Sequence, residues 1–402
     1  MNSHCQISKK NTNFGIAVDI GTTTVVAHLV NIDTGKISAT LSEINAQRKY
    51  GADVITRIKY CGKNGHDKLT SLIREQIISM IIELCGGICN FADIKGVSLA
   101  GNTIMQHIAA GYSPVSMGAV PFSTISFFGG MFDTWNGLHV NQIYYAPCIS
   151  AYVGGDITAG VLAAGFDSHI EEPAIFLDIG TNGEIVLKYN GTYYCCATAA
   201  GPAFEGAGIT MGVAAVKGAI DHVSLDPTNS SKLNFTTIGN EEPKGLCGSG
   251  LVDALAIMLD LEVVDETGRL EDEKFYISDN VFITAKDVRN IQLAKAALAA
   301  GVKTLLTHVG LTETDVKTFV LAGGFGTFMD KVNAAKIGLF PKAFLPVTTV
   351  MGNTSGEGAI LTLCSTEAQE KLDKIRKKSE YIELSTSTVW NNHFIEQMMF
   401  EV

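Results

Sequence analysis

No run of eighteen apolar residues occurs anywhere in the 402-residue chain, which leaves out a membrane-spanning helix of ordinary length. The opening residues, 1–13, are polar and carry no apolar core, so they do not read as a secretory signal and are expected to be disordered. A basic stripe is missing as well. The formal charge is −11, with 30 lysines and arginines against 41 aspartates and glutamates, which disfavours nucleic acid and anionic membrane surfaces as partners. The nine cysteines contain no Cys-x-x-Cys or Cys-x4-Cys-x2-Cys run of the kind that holds a ferredoxin-type cluster. Their odd number and wide scatter read as reduced thiols rather than a disulfide framework. The close pairs, Cys85 with Cys89 and Cys195 with Cys196, read as small buried hydrophobes. A soluble, cytoplasmic protein is expected, and at this length two lobes of roughly 150 to 200 residues.

What the chain does have is a glycine-turn hairpin, and it has it twice. Ala174-Ile-Phe-Leu-Asp-Ile-Gly-Thr-Asn-Gly-Glu-Ile-Val-Leu187 runs apolar residues into Asp178, turns, and resumes apolar alternation at Ile185. That is the pattern of a tight hairpin with a carboxylate at its mouth. Gly180 and Gly183 let the backbone turn with its N–H groups exposed, Asn182 lies between them, Thr181 adds a hydroxyl, and Asp178 can hold a divalent cation through water. This combination suits a polyanion. Phe14-Gly-Ile-Ala-Val-Asp-Ile-Gly-Thr-Thr-Thr-Val-Val-Ala27 is the second copy: a shift of 159 residues superposes Asp19 on Asp178, Gly21 on Gly180 and Thr22 on Thr181. Either copy alone could be an ordinary turn with a solvated aspartate; the pairing argues against that. Ser98-Leu-Ala-Gly-Asn102 and Val320-Leu-Ala-Gly-Gly324 form a shorter repeat, each an apolar strand running into a glycine turn. Matching halves suggest a pseudo-twofold molecule with a nucleotide clamped in the cleft between them.

Strands are expected at 14–20, 24–31 and 37–44 as a meander. A polar loop then leads into a helix carrying Asp53 and Arg57 four apart, where a surface salt bridge is the simpler reading beside a substrate or partner contact. Residues 66–85 place Leu69, Leu72, Ile73, Ile77, Ile81 and Leu84 on one helical face, ended by Gly86-Gly87. Segment 112–147, with Pro114, Pro121, Phe127-Phe128-Gly-Gly and Trp135, is irregular and reads as an insertion or a partner-facing surface. The helix from Gly154 to Gly165 is built of small residues that permit close helix approach, suiting either a crossing between lobes or plain packing.

Beyond the second hairpin, Ala199-Ala-Gly-Pro-Ala-Phe-Glu-Gly-Ala-Gly-Ile209 presents Glu205, either as a solvated side chain or as a group that orders magnesium-bound or attacking water. Gly245-Leu-Cys-Gly-Ser-Gly250 opens a helix over 249–260. Gly248 and Ser249 could lie against a ribose or phosphate, or Ser249 could simply cap the helix. Thr284-Ala-Lys-Asp287 is a capping box for a helix over 285–300. In Val320-Leu-Ala-Gly-Gly-Phe-Gly-Thr327, Gly323, Gly324 and Gly326 around Phe325 have no side chains to block a flat base, so backbone can pack on adenine. A strand over 346–351 and a helix over 355–364 follow.

This order of phosphate hairpin, small-residue helix, second phosphate hairpin, glycine-rich turn and second small-residue helix resembles the acetate and sugar kinase, heat-shock chaperone and actin superfamily. Within it, GNTIMQH, AYVGGDITAG, LDIGTNGEI, AAGPAFEGAGI, GLCGSG, LAGGFG and GNTSGEGA, in this order, resemble the ATPase part of the reductive activators of corrinoid proteins, from Phe14 to the C-terminus. The resemblance implies an α/β, two-lobed actin-like ATPase fold made of duplicated ribonuclease-H-like lobes, at 14–165 and 166–402, with nucleotide in the interlobe cleft. It also implies an ATP-dependent activator that returns an inactive cobalt(II) corrinoid to cobalt(I) on a partner methyl-transfer protein, with magnesium required and a homodimer formed. Activators of this kind usually begin with a ferredoxin-like domain, whereas this sequence starts almost directly at the ATPase part. No iron–sulfur cluster is expected in this chain, and a separate low-potential donor would supply electrons.

In the mechanism this suggests, Gly21, Thr22, Thr23, Gly180, Thr181, Asn182 and Gly183 cradle phosphates, and Gly248, Ser249, Gly323, Gly324, Phe325 and Gly326 take the nucleoside. Asp19 and Asp178 flank the metal, and Asp178 or Glu205 orients the attacking water. Two rivals stand beside it: a small-molecule kinase of the same superfamily, with an acceptor held by Asn45, Arg48 or Arg57, and a non-catalytic ATP-sensing interaction protein.

Overall fold

Strand β1 (Phe14–Ile20) is buried along nearly all its length, β2 (Thr24–Asn31) alternates between buried and half-buried residues, and β3 (Lys36–Ile44) is largely exposed. The gradient runs from the middle of a sheet to its edge, and it is what a meander with one free side requires. β4 (Ile94–Gly101) lies parallel to β1 on its other side, followed by β6 (Gln142–Tyr145) and β5 (Gly130–Asp133), giving the order β3-β2-β1-β4-β6-β5. Ile16, Val18 and Ile20 face the cluster formed with Leu69, Ile73, Ile77 and Ile81 of the helix His66–Cys85, whose expected bounds are observed. On the opposite face the strand carries Gly15, Ala17 and Asp19. A Cβ on Gly15 would stand 2.9 Å from Leu363 of the helix Thr354–Cys364, so the small residues of β1 let that helix lie close.

The computed structural model describes residues 13–168, 172–324 and 328–400. Two compact units divide the chain: residues up to Asp167 together with Thr354–Lys377, and Ser168–Asn353 together with Lys378–Val402. This differs from a division into 14–165 and 166–402, because the helices Thr354–Cys364 and Thr366–Lys377 return to the first unit. There the first of them packs on the small-residue helix Gly155–Ala163: a Cβ on Gly358 would meet the Ala159 carbonyl oxygen at 2.2 Å. The small residues thus serve helix packing inside one unit. The Ser98 and Thr362 hydroxyls, both buried, tie the same returning helix to β4 at 2.8 Å. Of the expected N-terminal segment only Asn13 lies within the described residues, where its amide bonds Asp33.

Segment 112–147 is more than an insertion. It supplies β5 and β6 to the sheet and buries Met117, Trp135 and Tyr145, while Val120, Ile125 and Phe127 remain exposed.

The second unit repeats the first sheet. Its strands are β7 (Ala174–Ile179), β8 (Gly183–Tyr189), β9 (Thr192–Thr198), β10 (Ala219–Asp226), β11 (Asn229–Thr237), β12 (Gly245–Leu246), β13 (Lys274–Tyr276), β14 (Phe282–Thr284), β15 (Thr318–Ala322), β16 (Thr348–Val350) and β17 (Ser379–Tyr381). The main sheet has the order β16-β15-β7-β8-β9-β17, so β9-β8-β7-β15 reproduces β3-β2-β1-β4, with the same antiparallel meander and the same parallel neighbour. The helix Ala285–His308 starts at the expected capping box, with Thr284 and Asp287 bonding each other's backbone. Its Gly301 sits where a Cβ would be 2.5 Å from Ile185 of β8. Cys195 and Cys196 are fully buried in β9, where burial pushes the Cys195 thiol up to about 12, as fits inert small hydrophobes. Cys85 is buried too, whereas Cys89 is half-buried.

Candidate functional site

Each unit presents one hairpin mouth. In the first unit Ile20 of β1 pairs with Val25 of β2, and Gly21, Thr22 and Thr23 form the turn that ends where β2 begins at Thr24. Asp19 stands one residue before the end of β1, opposite Val26 on β2 and Ala100 on β4. Its Oδ1 accepts a hydrogen bond of 2.8 Å from the Ser355 hydroxyl, at the start of the returning helix. Thr22 Oγ1 accepts from the Asn102 side-chain amide at 3.0 Å, and Asn102 also caps the helix Thr103–Ala110 through the Met105 N–H. The hairpin is thereby tied to two helix N-termini, where the positive ends of helix dipoles lie.

The turn carbonyls are held from behind. Asn45 Nδ2 donates to the Gly21 carbonyl at 2.8 Å, Arg57 Nη2 to the Thr22 carbonyl at 2.5 Å, and the Asn45 N–H to the Thr23 carbonyl at 2.9 Å. Arg57 is not the surface partner of Asp53 that its spacing suggested. Asp53 caps its helix instead, accepting from the Thr56 N–H at 2.7 Å and the Thr56 hydroxyl at 2.8 Å. Arg57 itself is fully buried. It donates further to the Gly51 carbonyl and to Gln47 Oε1, with Met105 Sδ at 3.0 Å. Burial lowers its pKa to about 10, so the guanidinium stays charged at neutral pH.

In the second unit Ile179 pairs with Gly183, and the turn closes by a bond from the Gly180 N–H to the Asn182 carbonyl at 2.9 Å. Asp178 lies opposite Glu184 on β8 and Ala322 on β15, the register position that Asp19 holds in the first sheet. Thr181 Oγ1 donates to Glu205 Oε1 at 2.6 Å, joining Glu205 to the hairpin. Glu205 is presented by the short turn Pro202–Glu205, closed by Gly206 at φ +81°. Gly323 follows β15 at φ +97°, and a Cβ there would meet the Ile179 carbonyl oxygen at 2.5 Å and Asp178 Oδ1 at 2.8 Å. Only glycine meets both demands. Gly183 is constrained by space alone, with the Leu298 and Thr198 side chains where its own would lie.

Among the remaining expected residues, Gly248 and Ser249 begin the helix Gly248–Asp260 and are buried. Ser249 does not cap it. Cys247 occupies the cap position without a side-chain bond, the Ser249 hydroxyl lies 3.4 Å from Cys247 Sγ, and Gly250 packs against the Ile220 carbonyl. Among the described residues nothing lies within 4 Å of the place a Cβ on Gly324 would take. Phe325 and Gly326 lie outside the described residues. Sequence reasoning assigns no phosphate role to Asn45, Arg57, Asn102 or Ser355, although Asn102 lies in the first Gly-Asn-Thr motif and Ser355 directly follows the second. No helix among the described residues is long and apolar enough to cross a membrane.

Comparison with known proteins agrees with this geometry. Residues 14–169 match the model of the RACo middle region, and residues 172–402 match the C-terminal domain of RACo, the ASKHA domain, a fold that implies nucleotide use. The corrinoid activation enzyme RamQ of Eubacterium limosum is 34% identical, over 98% of this chain and 71% of that protein. The [Co(II) methylated amine-specific corrinoid protein] reductase of Methanosarcina barkeri is 24% identical, over 96% of this chain and 77% of that one. A solved structure described as a reductive activator for corrinoid, iron-sulfur protein superposes with a TM-score of 0.86 at 34% identity, over 98% of this chain and 67% of that one. With both parts of the chain matched and a relative this similar along nearly its whole length, the protein belongs to the RACo family, the reductive activators of corrinoid proteins, and has their actin-like ASKHA ATPase fold.

Proposed function

We propose that this chain is an ATP-dependent activator that returns the cobalt(II) form of a corrinoid protein to cobalt(I), one electron being added per cobalt while ATP is hydrolysed to ADP and phosphate. The observation that carries the reading is relatedness along 98% of the chain to a corrinoid activation enzyme. A second relative named as a Co(II) corrinoid protein reductase points to the same client. Nucleotide use is supported by the duplicated hairpins, each with a carboxylate two residues before its first turn glycine.

In this reading the turns Gly21–Thr23 and Gly180–Gly183 hold phosphates through backbone N–H groups and threonine hydroxyls, and Gly323 and Gly324 offer bare backbone to the base. Gly248 and Ser249, which are buried, contribute through the helix start rather than through an exposed side chain. Asp178 and Glu205 share the work of orienting the attacking water, Glu205 being held for it by Thr181. Asp19 and Asp178 would hold magnesium. The donor chemistry fits a hard cation: each hairpin carries a carboxylate beside its turn, and carboxylate oxygens are what magnesium takes alongside phosphate oxygens and water. When bound, the ion supplies neutralisation of the phosphate charge. Electrons come from a separate low-potential donor, and the working form is a homodimer.

The test is anaerobic visible spectroscopy of a cobalt(II) corrinoid protein mixed with this chain and a low-potential reductant, with and without Mg·ATP. The cobalt(I) band is expected only with ATP. ATP hydrolysis with no change in the cobalt spectrum would remove the corrinoid assignment.

A further inference from the structure

We infer that Arg57 and Asn45 are positioning residues that set the first hairpin as an anion-binding loop, acting from behind the turn without touching the nucleotide. The inference rests on the phosphate-holding reading of that hairpin. Its basis is the three consecutive carbonyls of Gly21, Thr22 and Thr23, each held by Asn45 or Arg57. In a planar trans peptide the carbonyl of one residue and the N–H of the next point in opposite directions. Fixing these carbonyls therefore aims the N–H groups of Thr22, Thr23 and Thr24 each away from the group that holds its carbonyl. A run of N–H groups oriented in advance is what a phosphate needs, because none of the alignment has to be paid for on binding.

Burial and charge point the same way. Arg57 is fully buried, and among the described residues it forms no ion pair with a carboxylate; its donors go to Gly51, Gln47 and Thr22. The nearby acid, Asp53, is occupied in capping the helix. A buried cation without a paired anion is costly, and a phosphate arriving at the far side of the Thr22 peptide would offset that cost. Asn45 is fixed for its task in turn: its Oδ1 accepts from the Gln47 N–H at 2.9 Å, which leaves Nδ2 to face Gly21. Arg48, three residues on, is exposed, and among the described residues it holds none of the three turn carbonyls, so the device belongs to Asn45 and Arg57.

The variants Arg57→Met and Asn45→Asp test this, read by calorimetric affinity for a non-hydrolysable ATP analogue with magnesium and by the melting temperature without nucleotide. Asn45→Asp keeps the acceptor for Gln47 and removes the donor to Gly21, so it decides the matter if Arg57→Met does not fold. Both variants are expected to lose at least about tenfold in affinity, with Arg57→Lys intermediate because it keeps the charge but not the fork of donors. Folded variants whose affinity stays within twofold of the wild type would overturn the inference alone. A wild-type chain that binds no ATP overturns this inference and the proposed function together. If the wild type binds ATP yet never changes the cobalt spectrum, only the corrinoid assignment falls, and the variants still decide the role of Arg57.

Discussion

Thr181 donates its hydroxyl proton to Oε1 of Glu205 at 2.6 Å, so the hairpin threonine and the acid of the following turn form one unit. If Glu205 orders magnesium-bound or attacking water, as the proposed function has it, this contact is what fixes its carboxylate beside the turn. Glu205→Gln should lower steady-state ATP hydrolysis about 100-fold or more, the scale of a lost acid–base group, with analogue affinity changed only a few-fold. Thr181→Val should lower it about tenfold by releasing the carboxylate. Unchanged turnover in Thr181→Val would separate Glu205 from the chemistry.

Asp178 shares its register position with Asp19 but has a different neighbour, the bare backbone of Gly323. Asp178→Asn is nearly isosteric and should abolish most hydrolysis, about 100-fold, while raising the magnesium concentration needed for half-maximal activity. A magnesium titration of both proteins checks this. An unaltered midpoint would move the metal away from Asp178.

Gly323→Ala combines a left-handed backbone with a Cβ 2.5 Å from the Ile179 carbonyl. It should destabilise the second unit by at least about 1 to 3 kcal/mol in urea unfolding. Gly324→Ala, with nothing within 4 Å of its Cβ among the described residues, should leave the midpoint nearly unchanged. Equal midpoints for the two variants would contradict the geometry.

His107 carries the pH prediction. Burial lowers its pKa from 6.5 to about 4, against a smaller opposing effect of the Thr103 carbonyl that faces Nδ1 at 2.7 Å. The folded state keeps the ring neutral, while the unfolded chain protonates it. Its contribution is therefore complete above about pH 6.5 and is lost as pH falls towards about 4. Between pH 7 and pH 5 the wild type should lose about 2 kcal/mol more stability than His107→Gln. Parallel pH profiles for the two proteins would refute the assignment.

Much of the fold was readable in the sequence because the elements that carry it obey local rules. The meander of β1 to β3, the helix His66–Cys85 and the capping box at Thr284 follow from periodicity and capping chemistry. The duplicated aspartates were legible because an internal repeat is a comparison of the chain with itself. Arg57 was misread for an instructive reason. The spacing rule for helix ion pairs treats both partners as free, but Asp53 directly precedes its helix and its oxygens go to Thr56, which left the arginine to turn inward. The strands β10 and β11 went unnoticed because polar residues such as His222, Ser224, Asn234 and Thr236 interrupt their pattern. Nothing local signals that Thr354–Lys377 returns to the first unit, since that is a matter of which sheet it packs on.

That return has a genetic consequence. The chain passes from one unit to the other at Asp167, comes back at Thr354 and leaves again after Lys377, so no single cut separates two self-sufficient pieces. A fragment ending before Thr354 would lack the serine that bonds Asp19, the threonine that bonds Ser98 and the glycine that seats against Ala159. Recombination at one breakpoint would yield two incomplete products, and grafting the first unit onto another protein requires carrying a distant stretch of coding sequence along with it.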